Sequence, residues 1–332
     1  MAALHRERVR LYLWIVILSG LIGVLYNVAS NPWPPPARDL QIGLVDGTLI
    51  AAGIGFIEVF LVNAGRLRWL ASLPFIGVVA LKTLVYGAIV LAVLTRWGTA
   101  APTGFAIGFS MFVTFSFVVA MQIATLLGFR TARDLLLGRY RQPRRERRFF
   151  LFVDVAGSTG IAERLGPLEA HRFLAAVFAA AAEPVAACRG EVVQYVGDEV
   201  VITWTEAAGA VEARPMRCFF GIESSLLRQE REFEERFKTR PGLRAALHFG
   251  EVIAGEVGVW RRAIVFHGDV MNTASRLENA TREVGARFIA SDEALQALGG
   301  PALQGIANCR DLGALALRGR SEAIRAYAIE SS

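Results

Sequence analysis

Two aspartates, each placed at the end or turn of an apolar run, carry the clearest chemical signal in this chain. The segment Phe149–Thr159 reads FFLFVDVAGST and places Asp154 after five apolar residues, and Tyr195–Trp204 reads YVGDEVVITW and places Asp198 at a Gly-Asp turn. A carboxylate at the end of a buried strand is costly unless it is hydrated, paired or bound to a metal. Paired carboxylates can hold two divalent cations against a polyphosphate, so the pattern indicates a site for Mg²⁺ or Mn²⁺.

Both aspartates also have structural interpretations. The small residues Gly157, Ser158 and Thr159 would let backbone N–H groups approach a phosphate, but Ser158 or Thr159 would equally cap a helix. A Gly-Asp pair between two strands is a common hairpin turn. Glu199 follows Asp198 and is expected to point to the opposite face, as a structural residue. The metal interpretation is stronger for the two aspartates together than for either alone. In the expected sheet the first strand lies beside that hairpin, so Asp154 and Asp198 could converge.

A third polar set lies in the segment Val265–Asn279, VFHGDVMNTASRLEN. Asn272 and Arg276 are four residues apart and therefore share one face of a predicted helix. An amide that orients a ribose and a guanidinium that neutralises a reacting phosphate suit this geometry, although an exposed arginine can also be merely solvated. The segment Leu317–Arg320, LRGR, offers two cations at a turn, either for terminal phosphates or as plain surface.

From residue 149 onward, short predicted strands alternate with amphipathic helices in the order β-α-β-β-α-β, with further elements appended. This order is that of a ferredoxin-like α+β domain. The strands are predicted at Arg148–Val155, Glu191–Val196, Glu199–Thr205, Leu243–Val252, Ala263–Phe266, Arg287–Ala290, Asp311–Leu317 and Ile324–Ile329. The helices are predicted over Thr159–Cys188 with a break near Gly166, Ala207–Phe237 and Val270–Ala280.

The N-terminal part is apolar enough to raise the hydrophobic content of the 332-residue chain to 54%. Four windows are long enough to span a bilayer: Leu11–Ala29, Ile42–Val62, Trp69–Leu94 and Phe105–Leu127. A cleavable signal peptide is the alternative for the first window, but no small-residue cleavage site follows it. The expected organisation is a four-helix transmembrane α domain at 1–127, a basic juxtamembrane linker helix at 128–148, and the α+β domain at 149–332.

The placement of arginines predicts the orientation and the partners. Arginines are more numerous before the first span and in the loop after the second span than in the other two loops. Both termini are therefore expected in the cytoplasm, on a multi-pass protein of the inner (plasma) membrane.

The net charge is +6, and residues 130–148 alone hold eight arginines against two acidic residues. Such a run attracts anionic lipid headgroups. The nearly neutral remainder argues against a nucleic-acid partner. The three cysteines have no metal-ligand spacing.

Two charges lie within the predicted spans, Glu58 in the second and Lys82 in the third. Charged residues at such depth are costly, usually face the bundle interior and pair with each other. The short loop between these spans predicts antiparallel neighbours, so we expect Glu58 and Lys82 to interact. The alternative is that each side chain extends separately to its own membrane interface.

The blocks FVDVAGST, YVGDEVV, LHFGEV, HGDVMNTASRLEN and LRGRSEAIRAY, in this order, resemble the catalytic domain of class III adenylate/guanylate cyclases of the bacterial membrane-anchored type. The resemblance covers roughly 147–329. It implies two Mg²⁺ or Mn²⁺ ions per active site, held by Asp154, Val155 and Asp198. It also implies a homodimer in which Asn272 and Arg276 reach the partner's site.

The resemblance further implies substrate contacts at Gly157, Ser158, Thr159, Gln194, Val265 and Arg318, and conversion of ATP into 3′,5′-cyclic AMP and pyrophosphate. Adenylate-specific members commonly have Lys and Asp where this chain has Gln194 and Val265. Gln194 can still form hydrogen bonds with a purine, but Val265 cannot. ATP is the preferred nucleoside triphosphate, and a guanylate cyclase or a catalytically weak nucleotide-binding receptor is the alternative.

Overall fold

The computed structural model of the chain describes residues 2–30, 33–62, 67, 69–70, 73–96, 104–260, 262–299, 305–317, 320 and 322–331. The chain divides into two compact units, residues 1–133 and 134–332. The helices up to the boundary are α1 (Ala2–Ser30), α2 (Ala37–Phe56), which continues as a π-helix (Ile57–Val62), α3 (Phe75–Thr95), α4 (Gly104–Leu127) and α5 (Phe129–Leu136).

The four long helices of the first unit confirm the predicted apolar spans. Among the described residues, four helices are long and apolar enough to cross a membrane by length and composition. The third begins at Phe75 instead of the predicted Trp69, because Pro74 precedes it with an extended backbone. Proline favours the start of a helix and opposes its continuation from upstream.

Two internal contacts define how helices of the first unit pack. A Cβ atom on Gly23 of α1 would lie 2.0 Å from the carbonyl oxygen of Gly43 in α2, so only glycine permits this approach. The Lys82 Nζ atom lies 2.7 Å from the Glu58 Oε1 atom, and both residues are buried. The predicted interaction between these two charges is therefore confirmed as a buried ion pair.

The second unit is built around one mixed sheet. Its strands are β1 (Arg144–Ala156), β2 (Glu191–Val196), β3 (Glu199–Thr205), β4 (Gly242–Val257), β5 (Ala263–His267), β6 (Phe288–Ser291), β7 (Ala307–Leu315) and β8 (Ile324–Ser331). Its α-helices are α6 (Ser158–Leu165), α7 (Pro167–Ala187), α8 (Glu206–Ala210), α9 (Arg214–Arg228), α10 (Glu230–Phe237), α11 (Asp269–Val284) and α12 (Asp292–Leu298). The sheet order is β2-β3-β1-β4-β6-β8-β7, and β5 pairs with β4.

The central strand β1 is buried on both faces, and its side chains alternate between two layers. Phe149, Leu151 and Val153 pack with residues of α7 and α9. Phe150 and Phe152 pack on the other face, with Val270 and Ala274 of α11. By the same alternation Asp154 belongs to the α11 face. The sheet and α11 are therefore the elements that position the candidate site.

Several elements differ from the sequence prediction: for example, β4 continues to Val257 instead of Val252, and β7 begins at Ala307 instead of Asp311. β1 begins at Arg144 and not at Arg148, because its first residues pair with the second half of β4. The predicted helix 207–237 is divided into α8, a short 3₁₀ turn, α9 and α10. Pro215 lies in the first turn of α9, where a proline starts a new helix and cannot continue the preceding one. Helix α12 was not predicted.

Some arginines of the basic segment 130–148 form ion pairs within the second unit. Arg148 is buried and bonds Glu146 and Glu191, with N–O distances of 2.7 and 3.0 Å. Arg145 and Arg147 pair with glutamates on neighbouring elements at 3.4 and 3.1 Å, but their side chains stay largely exposed. Arg148 is therefore not available to a lipid headgroup, whereas its exposed neighbours are.

Candidate active site

The end of β1 and the β2–β3 turn bring Asp154 and Asp198 together. β1 pairs antiparallel with β3, and the Val155 amide donates to the Asp198 carbonyl oxygen at 3.3 Å. Gly197 has φ of 61°, which the tight turn before Asp198 requires. The Ser158 hydroxyl donates a short hydrogen bond to the Asp198 carboxylate. The two aspartates predicted from separate motifs thus share one place in the fold.

The pKa values of the two carboxylates are shifted in opposite directions. Burial, together with a hydrogen bond to Asp198 and its charge, raises the pKa of Asp154 to about 7. Burial acts in the same direction on Asp198, but hydrogen bonds with Ser158 and Asp154 outweigh it and lower the pKa of Asp198. Near neutral pH the pair therefore shares one proton when no cation is bound.

Three further charged residues, which the sequence analysis did not assign to the site, surround this pair. Glu199 lies directly opposite Asp154 in the β1–β3 register, so both side chains are on the same face. The expectation that Glu199 points to the face opposite the site is therefore wrong. Burial and the charges of Glu278, Asp154 and Asp198 raise the pKa of Glu199 to about 7. From α11, Arg282 contacts Asp154 with an Nη2–Oδ2 distance of 3.3 Å.

Helix α11 also carries Asn272 and Arg276, but not toward Asp154. Asn272 is exposed and Arg276 is half-buried. Helical geometry places the Asn272–Arg276 pair about 120° around α11 from the Glu278–Arg282 pair. Since Arg282 holds the contact with Asp154, the face that bears Asn272 and Arg276 is directed away from the two aspartates of the same chain.

The remaining predicted contact residues are distributed over several elements. Gly157, with φ of 70°, precedes α6, and Ser158 and Thr159 form its first turn. Gln194 is exposed on the edge strand β2. Val265 lies on β5, which pairs with β4, so β3, β1 and β4 separate it from Gln194. One chain therefore does not bring these two residues together.

Arg318 lies outside the described residues, whereas Arg320 is described. The Arg320 guanidinium bonds the Asp269 carboxylate and the Thr273 hydroxyl, both in the first turns of α11. It thereby fixes the start of the helix that bears Asn272 and Arg276. The sequence offered no separate signal for this contact beyond the charge of Arg320.

The chemistry of the donor set fits divalent cations. Carboxylate oxygens are the ligands that Mg²⁺ prefers, and Mg²⁺ typically takes one or two of them together with substrate phosphates and water. In the described part of the chain, no three His, Cys, Asp or Glu side chains are arranged to hold a metal by themselves. A cation would relieve the crowding of Asp154 and Asp198, and the substrate would supply its other ligands.

These features define a class: an α+β domain with a carboxylate pair beside the N-terminus of helix α6. The chain belongs to the adenylate and guanylate cyclase catalytic domain family, whose family model matches residues 142–331. The resemblance found in the sequence motifs is confirmed, as is the fold class of apolar helices followed by a cyclase domain.

Two relatives of this chain are named as adenylate cyclases. Adenylate cyclase 2 of Rhizobium meliloti is 37% identical over 205 residues, which cover 62% of this chain and 56% of that protein. Adenylate cyclase 1 of Rhizobium meliloti is 29% identical over 192 residues, which cover 54% of this chain and 27% of that protein. This chain thus spans about half of the first relative and about a quarter of the second.

Two solved structures share the fold. The adenylyl cyclase CyaB from P. aeruginosa superposes with a TM-score of 0.50 at 20% identity, covering 57% of this chain and 97% of that one. A bacterial light-regulated adenylyl cyclase gives a TM-score of 0.55 at 20% identity, covering 70% of this chain and 66% of that one. At 20% identity these superpositions show a shared fold and nothing more.

Proposed function

We propose that this chain is a membrane-anchored purine nucleotide cyclase, which converts ATP into 3′,5′-cyclic AMP and pyrophosphate as a homodimer. The observation that carries the proposal is the convergence of Asp154 and Asp198 at one end of the sheet, within a domain of the cyclase family. Both relatives described above bear the name adenylate cyclase, which favours ATP. Val265, at a position where adenylate-specific members have an acid, favours testing GTP as well.

The chain's own residues divide the work between binding and charge stabilisation. Two divalent cations, held by Asp154, the Val155 backbone and Asp198, would supply Lewis acidity at the ribose 3′-hydroxyl and neutralise the terminal phosphates. Asn272 holds the ribose in line for attack on the α-phosphate. Arg276 stabilises the charge that develops on that phosphate.

The different orientations of two faces of α11 support a homodimer. One face meets Asp154 through Arg282, and the face with Asn272 and Arg276 turns away from it. A second copy related by a two-fold axis would receive Asn272 and Arg276 at its own Asp154 and Asp198. Gln194 and Val265, separated by three strands in one chain, would meet at the purine in the same way.

The four apolar helices support an anchor in the inner (plasma) membrane. The arginines near the first span and after the second support cytoplasmic termini, so that the cyclase domain reaches cytosolic nucleotides. Arg144, Arg145 and Arg147 are exposed and suit anionic headgroups.

The test uses the full-length protein in lipid nanodiscs, incubated with ATP or GTP and Mn²⁺, with products identified by mass spectrometry. We expect cyclic AMP. Asp154→Ala and Arg276→Ala should each lower turnover at least about 100-fold. Mixed, the two variants should recover about a quarter of the wild-type rate, because half of the dimers are mixed and each of these has one intact site.

Asp311→Ala and Arg231→Ala serve as matched controls, because both side chains are exposed on other elements. They should retain wild-type turnover. If cyclic GMP is the main product, the substrate is GTP and the proposal of ATP is wrong. Nucleotide binding without either product would make the chain a receptor. No recovery on mixing, with mixed dimers verified by two affinity tags, would rule out the shared site.

A further inference from the structure

Arg282 has an unusual position for a surface arginine, because it lies over the candidate metal site. Its side chain is 55% exposed, while the Asp154 side chain that it contacts is only 6% exposed. The guanidinium therefore approaches the buried carboxylate from the solvent side. A divalent cation that binds Asp154 needs the same carboxylate oxygens.

A second buried acid lies one helical turn before Arg282. Glu278 is 4% exposed, and its Oε1 atom has no hydrogen-bond partner among the described residues. Burying an acceptor without a partner is unfavourable. Glu278 and Arg282 are four residues apart on α11, and a glutamate four residues before a cation is the favoured order for a helical ion pair.

The charges around Asp154 are unbalanced. Asp198, Glu199 and Glu278 add three acidic groups at short range. Arg244, opposite Asp154 in the β1–β4 register, is a second guanidinium, and its charge acts on Glu278. Arg282 is therefore the cation that balances Asp154 directly.

We propose that Arg282 is a displaceable internal cation with two partners: Asp154 when the site lacks metal, and Glu278 Oε1 when a divalent cation is bound. The inference rests on the proposed function for the metal site, but it concerns a residue that the cyclase mechanism does not use. Displacement requires only a rotation of a long, half-exposed side chain. Arg282 thereby raises the cation concentration at which the site fills.

The mechanism requires opposite effects from the two residues. Without Arg282 the cation no longer competes, so the site should bind metal more tightly. Without the Glu278 carboxylate the displaced guanidinium has no partner, so the site should bind metal more weakly. If Glu278 acts through Arg282, its effect should vanish when Arg282 is already replaced. If Glu278 acts only through its own charge, its effect should persist.

The experiment titrates Mn²⁺ into full-length protein in nanodiscs without nucleotide and measures free Mn²⁺ by electron paramagnetic resonance. Arg282→Gln should lower the Mn²⁺ Kd about fivefold, which corresponds to the about 1 kcal/mol of a partly exposed ion pair. Arg282→Lys should stay within about twofold of wild type, because the charge remains. Glu278→Gln should raise the Kd in the wild-type background and leave it unchanged in Arg282→Gln.

Arg287→Gln is the matched control, because Arg287 is exposed and pairs with Glu223 away from the site. It should not change the Kd. An unchanged or higher Kd for Arg282→Gln overturns the proposal, as does a Glu278→Gln effect that persists in the double variant. Asp154→Asn should abolish Mn²⁺ binding; if it does not, the metal assignment of the proposed function fails separately.

Discussion

The proposed chemistry depends on a few charged side chains at the end of the buried part of strand β1. Asp154 follows five apolar residues of β1, each at most 4% exposed. The strand alternation directs Asp154 to the α11 face, beside Glu199 and Glu278. Burying several carboxylates together is costly without cations. The arrangement therefore supports the proposed cation site.

His248 shows a different solution to burying a titratable group. It lies in β4, its Nδ1 atom is 2.7 Å from the Ser291 hydroxyl, and Ser291 also accepts from the Ala294 amide at the start of α12. Burial, together with the Arg320 charge and against the opposing charges of Glu293 and Asp269, lowers the pKa of His248 to about 4. The folded protein thus keeps this imidazole neutral.

We predict that the stability of the second unit falls as the pH falls from about 6.5, the pKa of an unfolded histidine, to about 4. In this window the unfolded chain binds a proton that the folded chain does not, at up to about 1.4 kcal/mol per pH unit. Urea unfolding of wild type and His248→Gln at pH 7.5, 6 and 5 measures the difference. The variant should lose less stability on acidification, and the exposed His171→Gln should behave like wild type. Parallel pH profiles for wild type and His248→Gln would contradict the assignment.

At the residue scale, sequence motifs identified Asp154 and Asp198 because apolar runs and a Gly-Asp turn mark strand ends. They could not identify Arg282, because its contact depends on how α11 crosses the sheet. Glu199 was assigned the wrong face for a related reason. Adjacent residues point to opposite faces only within a regular strand, and Asp198 belongs to the turn.

Among the elements, the β2–β3 hairpin was predicted with its observed bounds, since glycines and a turn delimit it. The predicted β1 begins four residues too late, because the charged residues at its start do not resemble a strand, although they pair with β4. Pro215 carried a signal for the break before α9 that the periodicity alone concealed. Ser291, followed by two acids, carried a capping signal for α12.

The start of β1 is held by a buried polar network around Arg148. Its Nε atom is 2.7 Å from Glu146, its Nη1 atom 3.0 Å from Glu191 on β2, and its Nη2 atom 3.0 Å from the Tyr140 hydroxyl. The guanidinium also lies 4.8 Å from the Phe266 ring centre. Arg148 thus joins the segment before β1 to the strand that leads to Asp198.

We predict that Arg148→Leu destabilises the protein by about 3–5 kcal/mol, because it removes the buried guanidinium that neutralises the half-buried carboxylates of Glu146 and Glu191. Arg145→Leu is the matched control: its pair with Glu251 is largely exposed and should contribute about 0–1 kcal/mol. Arg148→Lys should fall between, since it keeps the charge but loses the fork of contacts. Urea unfolding of full-length variants measures the three values. Equal losses for Arg148→Leu and Arg145→Leu would show that the network has no special role.

At the scale of the whole molecule, the sequence predicted an apolar four-helix region at 1–127, a basic linker at 128–148 and an α+β domain at 149–332, and the structure divides the chain into residues 1–133 and 134–332. Hydropathy identifies apolar helices well because every lipid-facing residue must be apolar. The sites that require two copies of the chain are harder to predict, because no single copy contains all of their residues. In the proposed homodimer, Asn272 and Arg276 belong to such a site.

The ion pair between Glu58 and Lys82 is the strongest candidate for a functional element in the first unit. Glu58 lies in the π-helical segment that ends α2, and such segments are frequent at functional sites. Among the residues that the structure describes, the buried Tyr86 hydroxyl, one turn after Lys82, has no hydrogen-bond partner.

We predict that Glu58→Gln and Lys82→Met each change the basal cyclase activity of the full-length protein in membranes, because each leaves its partner as an uncompensated buried group. In the double variant neither charge remains, so the effects should be non-additive by more than about 0.5 kcal/mol in the free energy derived from the rates. Leu84→Met, an exposed position two residues from Lys82, is the control and should not alter activity. Additive effects, at equal expression and insertion, would make the pair a packing feature of the helices with no part in controlling the cyclase.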